Sequence, residues 1–187
     1  MKPTVLGRVL AAALLVAGVA GASTKDSAGA PRGDADIAAG VRHEVVMYSR
    51  YSIWDDVNLR VENGQVELTG AVSQPFKKAD LERLVQRVPG VTGVTNELKV
   101  LPLSNNDDRL RVQVARAIYR DSSFTRYAMQ AVPPVHIIVD NGRVTLTGVV
   151  ATEMEKQIAG MRASGAGLSF GPIQNNIQVE HPSARKS

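Results

Sequence analysis

The 187-residue chain contains no cysteine. No disulfide braces its fold, and no thiol follows its N-terminal apolar run to carry the acyl group of a lipoprotein. It has three histidines, His43, His136 and His181, far apart in sequence. None has a cysteine or carboxylate at ligand spacing, so no metal centre is expected. The G-x-S-x-G, P-loop and Rossmann motifs are absent, which removes the usual signatures of hydrolases and nucleotide-binding enzymes. Adjacent acids occur at Asp55-Asp56 and Asp107-Asp108. Neighbours along a chain point to different sides, so connector and helix-cap roles suit them better than paired acid–base catalysis. The expectation is therefore a protein without enzymatic activity and without a cofactor. Excess charge is also lacking: 22 Lys and Arg face 18 Asp and Glu, a net charge of +4. Lys2 and Arg8 belong to the N-terminal segment, and without residues 1–22 the balance is 20 basic to 18 acidic, or +2. So small a charge argues against nucleic acid as a partner, and any anionic partner must be met by a local patch.

Lys2 and Arg8 precede an apolar run from Val9 to Val19, and Ala20-Gly21-Ala22 supplies small residues for cleavage before Ser23. Residues 1–22 thus read as a secretory signal peptide. The run is shorter than the roughly 20 residues of a spanning helix, which makes a retained anchor the lesser alternative. Residues 23–35 (STKDSAGAPRGDA) are small, polar and Gly/Pro-bearing, as in a flexible leader.

What the chain does have is a repeat. Residues 57–72 (VNLRVENGQVELTGAV) match residues 135–150 (VHIIVDNGRVTLTGVV) at nine of 16 positions, with a constant offset of 78. A period of this length means two copies of one supersecondary unit. In the first copy Ile37, Val41 and Val45 fall on one helical face after Asp36, predicting a helix. Val57, Leu59 and Val61 alternate with polar residues as in a half-buried strand. Asn63-Gly64 suits a type I′ turn, and Val66 and Leu68 continue into the return strand until Thr69-Gly70 ends or bulges it. A helix is predicted from Pro75 to Arg87, stopped by Pro89-Gly90, and then a strand over Val91–Val100. After a linker at 102–106 the second copy repeats the plan. Asn106 or Asp107 caps its first helix, where Leu110, Val114 and Ile118 match Ile37, Val41 and Val45. A longer connector runs from Arg120 to Pro134. A hairpin, a helix over Thr152–Ala163 and a strand over Ile173–Val179 complete the unit, with one extra residue and extra glycines in the segment Ser164–Pro172. Residues 181–187 are a polar tail. The fold class is α+β: two α-β-β-α-β domains, residues 36–101 and 107–180, each a small three-stranded sheet packed on two helices. Cores this small are marginal alone, so the two domains should stabilise one another.

The Asp-started helix, the strand–Asn-Gly–V-x-L-T-G hairpin, the helix bearing Glu155-Lys156-Gln157 and the V-P-G-V…V-x-N-x-L-x-V ending from Val88 to Val100 together resemble the BON domain family. The resemblance covers residues 36–180. It implies a non-enzymatic α+β protein exported to the periplasm or outer membrane, with a role in envelope integrity or osmotic stress. It also implies a phospholipid-interacting module with a preference for anionic lipid, or alternatively an adaptor that binds other envelope proteins.

The residues offer one candidate for such contact. Arg109, Gln113, Arg116 and Arg120 fall within about 60° of one another around the second domain's first helix, about 115° from the centre of its apolar face. Guanidinium groups bind phosphate bidentately, which suits lipid headgroups; an ordinary solvated helix face is the competing reading. The first-domain helix carries only Arg42 and His43, so lipid contact should favour the second domain. Met154, Met161, Leu168 and Phe170 read as core fillers rather than membrane anchors, and Phe170 aligns with the apolar Val91. Tyr51 and Trp54, in the first connector, are expected to seal a core edge or the join between domains.

Overall fold

A computed structural model describes residues 33–167 and 169–180, all of which belong to one compact unit. The segment read as a signal peptide, most of the segment read as a leader, Leu168, and residues 181–187 with His181 lie outside the described residues. The first domain runs α1 (Asp34–Met47), β1 (Asp56–Glu62), β2 (Gln65–Val72), α2 (Pro75–Gln86), β3 (Gly93–Asn96) and β4 (Lys99–Val100). The second runs α3 (Asn105–Tyr119), a 3₁₀ turn (Ser122–Phe124), α4 (Thr125–Ala128), β5 (Val135–Asp140), β6 (Arg143–Val150), α5 (Glu153–Ser164), β7 (Gln174–Asn175) and β8 (Gln178–Val179). The architecture is the α+β tandem that the repeat implies.

Each hairpin is antiparallel and in register through its turn, with Glu62 opposite Gln65 and Asp140 opposite Arg143. Asn63 and Gly64 have φ of 51° and 76°, and Asn141 and Gly142 have 52° and 75°, the two left-handed residues of a type I′ turn. The N–H groups of such a turn point away from the ladder, and the first turn of the preceding helix satisfies them. Asp34 accepts from Asn63 N and Gly64 N at 2.8 and 2.9 Å, and Asp107 accepts from Asn141 N and Gly142 N at 2.9 and 2.8 Å. This corrects two expectations. The first helix begins at Asp34 rather than Asp36, taking residues 34–35 from the leader. Asp107 is not the cap of α3: Ser104 caps it by accepting from Asp107 N, so Asn105 and Asn106 leave the linker for the helix.

The third strand of each domain is not continuous. It forms two short pieces, both parallel to the central strand β2 or β6. An asparagine causes the break. Asn96 donates to the Lys78 carbonyl at 2.9 Å and accepts from Leu98 N at 3.2 Å, and Asn175 does the same with Lys156 and Ile177. A side chain thus takes the place of a ladder bond, and Leu98 and Ile177 enter the core at 1% exposure. In the first domain Ile37, Val41 and Val45 of α1 and Leu81 and Val85 of α2 close over Val66, Leu68 and Val72. In the second domain α3 and α5 cover Ile137, Val144 and Leu146 in the same way.

The connectors differ. In the first domain Asp55 is fully buried. Its carboxylate accepts from Ser73 N and Oγ at 2.8 Å, from Ser52 N and Oγ at 3.0 and 2.8 Å, and from Lys77 Nζ at 2.6 Å. Lys77 occupies the third position of α2, where an acid would complement the helix dipole, and Asp55 brings that negative charge from the connector instead. At the equivalent place in α5 stands Glu155, which forms a capping box with Thr152 and bonds Arg126 and, through its second oxygen, Tyr127. Two charge patterns of opposite sign therefore solve the same problem.

The first connector also makes the joint between domains. Ile137 N donates to Ile53 O at 2.7 Å, and His136 Nδ1 donates to the Asp55 carbonyl at 2.5 Å. The Tyr51 ring lies 5.5 Å from that of His136, Ile53 and Trp54 pack on the second core, and Lys99 pairs with Asp140. Tyr51 and Trp54 thus sit at the join, as expected of them.

Two stability predictions follow from these carboxylates. Lys77→Met leaves the Asp55 charge buried and unpaired, and should lower the unfolding free energy by about 3–5 kcal/mol. An Asp55→Leu/Lys77→Met double variant, which removes both charges, should lose less than the single one in urea denaturation. Asp107→Ala strands two hairpin N–H groups and should cost about 1–3 kcal/mol in the urea midpoint, with Asp107→Asn intermediate.

Candidate functional site: the basic face of α3

α3 is held from three sides. Ser104 caps its start, Asp107 ties its first turn to the hairpin, and Leu110, Val114 and Ile118 anchor its inner face in the core. Arg111, next to the candidate residues in sequence, points inward: it is buried, donates to the Val139 carbonyl at 2.8 Å and pairs with Asp108. The other three arginines behave differently. Arg109, Arg116 and Arg120 are all exposed, and none pairs with a carboxylate among the described residues.

The structure brings some of the candidate residues together and separates others. Arg116 and Arg120 line a shallow cleft of about 310 Å³ between α3 and α5, with Ala117, Asp121 and Arg162. Arg109 and Gln113 lie outside it, toward the start of the helix, and Gln113 packs beside Gly167. Arg162 was not singled out from the sequence. Its place in the last turn of α5, a helix bound to pack beside α3, is the signal that points to it. Arg162 Nε and Nη2 both reach Asp121 Oδ2 at 2.7 Å. The Asp121 carboxyl is held below the usual carboxylate range, first by the Ser123 backbone N–H and then by Arg162. The cleft therefore holds three guanidinium groups around one carboxylate that stays ionised, a net positive site open to solvent. It suits a phosphate-bearing anion, and it offers no nucleophile or general base aimed at a common point. Among the described residues no cluster of three metal-binding side chains occurs; His43 is exposed on α1, and His136 is occupied at the joint.

The apolar residues of the second domain contradict the sequence reading. Met154, Met161 and Phe170 are 70%, 66% and 77% exposed, not core. Phe170 N donates to Gly142 O, as Thr92 N does to Gly64 O. Phe170 thus occupies the place of exposed Thr92 rather than that of Val91. The extra residue of the second copy falls between Phe170 and Gln174, where Gly171 takes a φ of 117°. Met154 and Met161, one heptad apart, form an outward stripe on α5.

No curated protein matches the chain. Among solved structures, the chain is similar to CdsD, a structural protein of the type III secretion system of Chlamydia trachomatis, at 15% identity and a TM-score of 0.31, covering 78% of this chain and 61% of that one. It is also similar to the C-terminal domain of CdsD, at 14% identity and a TM-score of 0.28, covering 78% and 98%. The chain thus spans 61% of the length of the first of these. The family model for the BON domain matches residues 33–102 and again residues 106–180. Proteins of that family are generally non-catalytic and often periplasmic or exported, and among the described residues no helix is long and apolar enough to cross a membrane. With the domain matched twice over most of its length, the chain belongs to the BON-domain family.

Proposed function

We propose that this is an exported, non-enzymatic envelope protein, directed to the periplasm by residues 1–22, that binds anionic phospholipid reversibly through its second domain. The observation that carries this reading is the exposed run of Arg109, Arg116 and Arg120 on α3, unpaired with any carboxylate among the described residues. The cleft with Arg162 adds a place for one phosphate. The outward stripe of Met154 and Met161 adds apolar contact. A basic residue near an anionic bilayer contributes about 1 kcal/mol, so the three arginines supply an attraction that is weak singly and sensitive to salt. A role in envelope integrity or osmotic stress belongs to the same reading.

Co-sedimentation of residues 23–187 with anionic and zwitterionic vesicles, at low and moderate salt, tests it. Selective binding to anionic vesicles is expected. Changing Arg109, Arg116 and Arg120 together to Glu should abolish it, and moderate salt should weaken it. Equal or absent binding to both vesicle types would sink the lipid reading in favour of an adaptor for other envelope proteins.

A further inference from the structure

The two domains treat the same sheet edge differently. In the second domain each outward residue of the β5 edge has a hydrogen-bond partner outside the hairpin. Tyr119 Oη accepts from Val135 N at 3.1 Å, Ile53 O accepts from Ile137 N, and Arg111 donates to Val139 O. Ile53 and Trp54 of the first connector roof it, and Val135, Ile137 and Val139 are all at 0% exposure. In the first domain only the start of the matching edge is covered, where Tyr51 lies close to Val57. Beyond it, Leu59 and Val61 find no hydrogen-bond partner outside the hairpin among the described residues. The position of Arg111 is taken by Ala38, and Val57, Leu59 and Val61 are only partly buried. Among the described residues β1 is an open strand edge whose own repeat shows what a filled one looks like, and open edges recruit other chains.

We propose that the outer edge of β1 receives the second-domain connector of another copy of this chain, repeating the internal joint from molecule to molecule. Counting back from the strand starts Val57 and Val135, Ala131 stands where Ile53 stands, Val132 where Trp54 stands and Pro133 where Asp55 stands. What the joint takes from the connector backbone is two carbonyls, and proline keeps its carbonyl. The Ala131 carbonyl meets Leu59 N–H as that of Ile53 meets Ile137 N–H. Asn58 occupies the position of His136 and offers an amide donor to the Pro133 carbonyl. This connector is presented for contact: Ala131 is exposed, and nearby Met129 is 84% exposed. Val132 covers less than Trp54, so the contact between molecules is weaker than the internal joint and depends on concentration. It is heterologous, joining two different surfaces, so the assembly grows as a ring or an open filament rather than stopping at a twofold dimer.

The absence of native cysteine makes the test clean. Residues 23–187 contain every described residue, and in them Asn58→Cys and Ala131→Cys place one thiol on each surface. With a short bis-maleimide, the double variant should give a ladder of covalent multimers, an equal mixture of the two single variants only dimers, and each single variant alone monomers. Dimers from Asn58→Cys alone, as abundant as those of the mixture, would show edges pairing by a twofold axis and overturn the proposal. So would a monomer at every concentration in sedimentation velocity of the unsubstituted chain, which would leave the edge to an extended peptide of another protein. Ala131→Glu, on an exposed connector, should weaken self-association about tenfold or more without changing the melting temperature.

Discussion

Asp55 is the residue on which most of the arrangement depends. Its carboxylate gathers donors from Ser52, Ser73 and Lys77, which joins the connector to the start of α2 at a buried site. An ionised carboxylate can be buried only where several donors replace its hydration, and that condition fixes the path of the connector. The same path aims the carbonyls of Ile53 and Asp55 at β5. One buried charge in the first domain thereby sets the edge on which the second domain rests. Domains of this size have little core to spare. Ile53 and Trp54 of the first connector add to the second core, beside Phe124 and Tyr127 of its own connector.

The two copies show how a fold keeps its backbone while exchanging its chemistry. Both need a first-turn aspartate to hold the type I′ turn, and both have one, Asp34 and Asp107. Both need the approach to the second helix secured, and here they diverge: Lys77 with a carboxylate from the connector in one, Glu155 with Arg126 and a tyrosine hydroxyl in the other. The second connector forms a 3₁₀ turn and α4, burying Phe124 and Tyr127, and Arg126 and Tyr127 tie it to Glu155 of α5. The segment after α4 leaves Met129 and Ala131 exposed.

Much of this was legible in the sequence, for physical reasons that can be named. Helical spacing of Ile37, Val41 and Val45 and alternation through Val57, Leu59 and Val61 are local signals, as is Asn-Gly at a turn, so element order and hairpin register could be read directly. Contacts between distant residues could not. Asp107 looks like a helix cap because its nearest backbone partners are in its own helix; the hairpin N–H groups that it serves lie 34 and 35 residues on. Asn96 and Asn175 sit in convincing strand patterns, and only the neighbouring helix carbonyl reveals why the strand breaks there. Phe170 was misplaced by one residue, since a glycine-rich segment gives no periodicity with which to locate an insertion. On α3 the period places Arg109, Gln113, Arg116 and Arg120 on one face, but the share of that face belonging to α5, through Arg162, appears only once the helices pack.

The magnitudes bear on which forces would dominate at a membrane. Three arginines near an anionic surface contribute roughly 3 kcal/mol together, all of it open to screening. Met154 and Met161 are about two-thirds exposed, and full burial of a methionine side chain is worth about 1.5–3 kcal/mol. Even partial burial of both would match the electrostatic contribution. Charge would then select the anionic surface and orient the domain, while the methionine stripe would set how long it stays. Because the second contribution is indifferent to ionic strength, the part of the binding that survives salt measures how far α5 enters the bilayer interface.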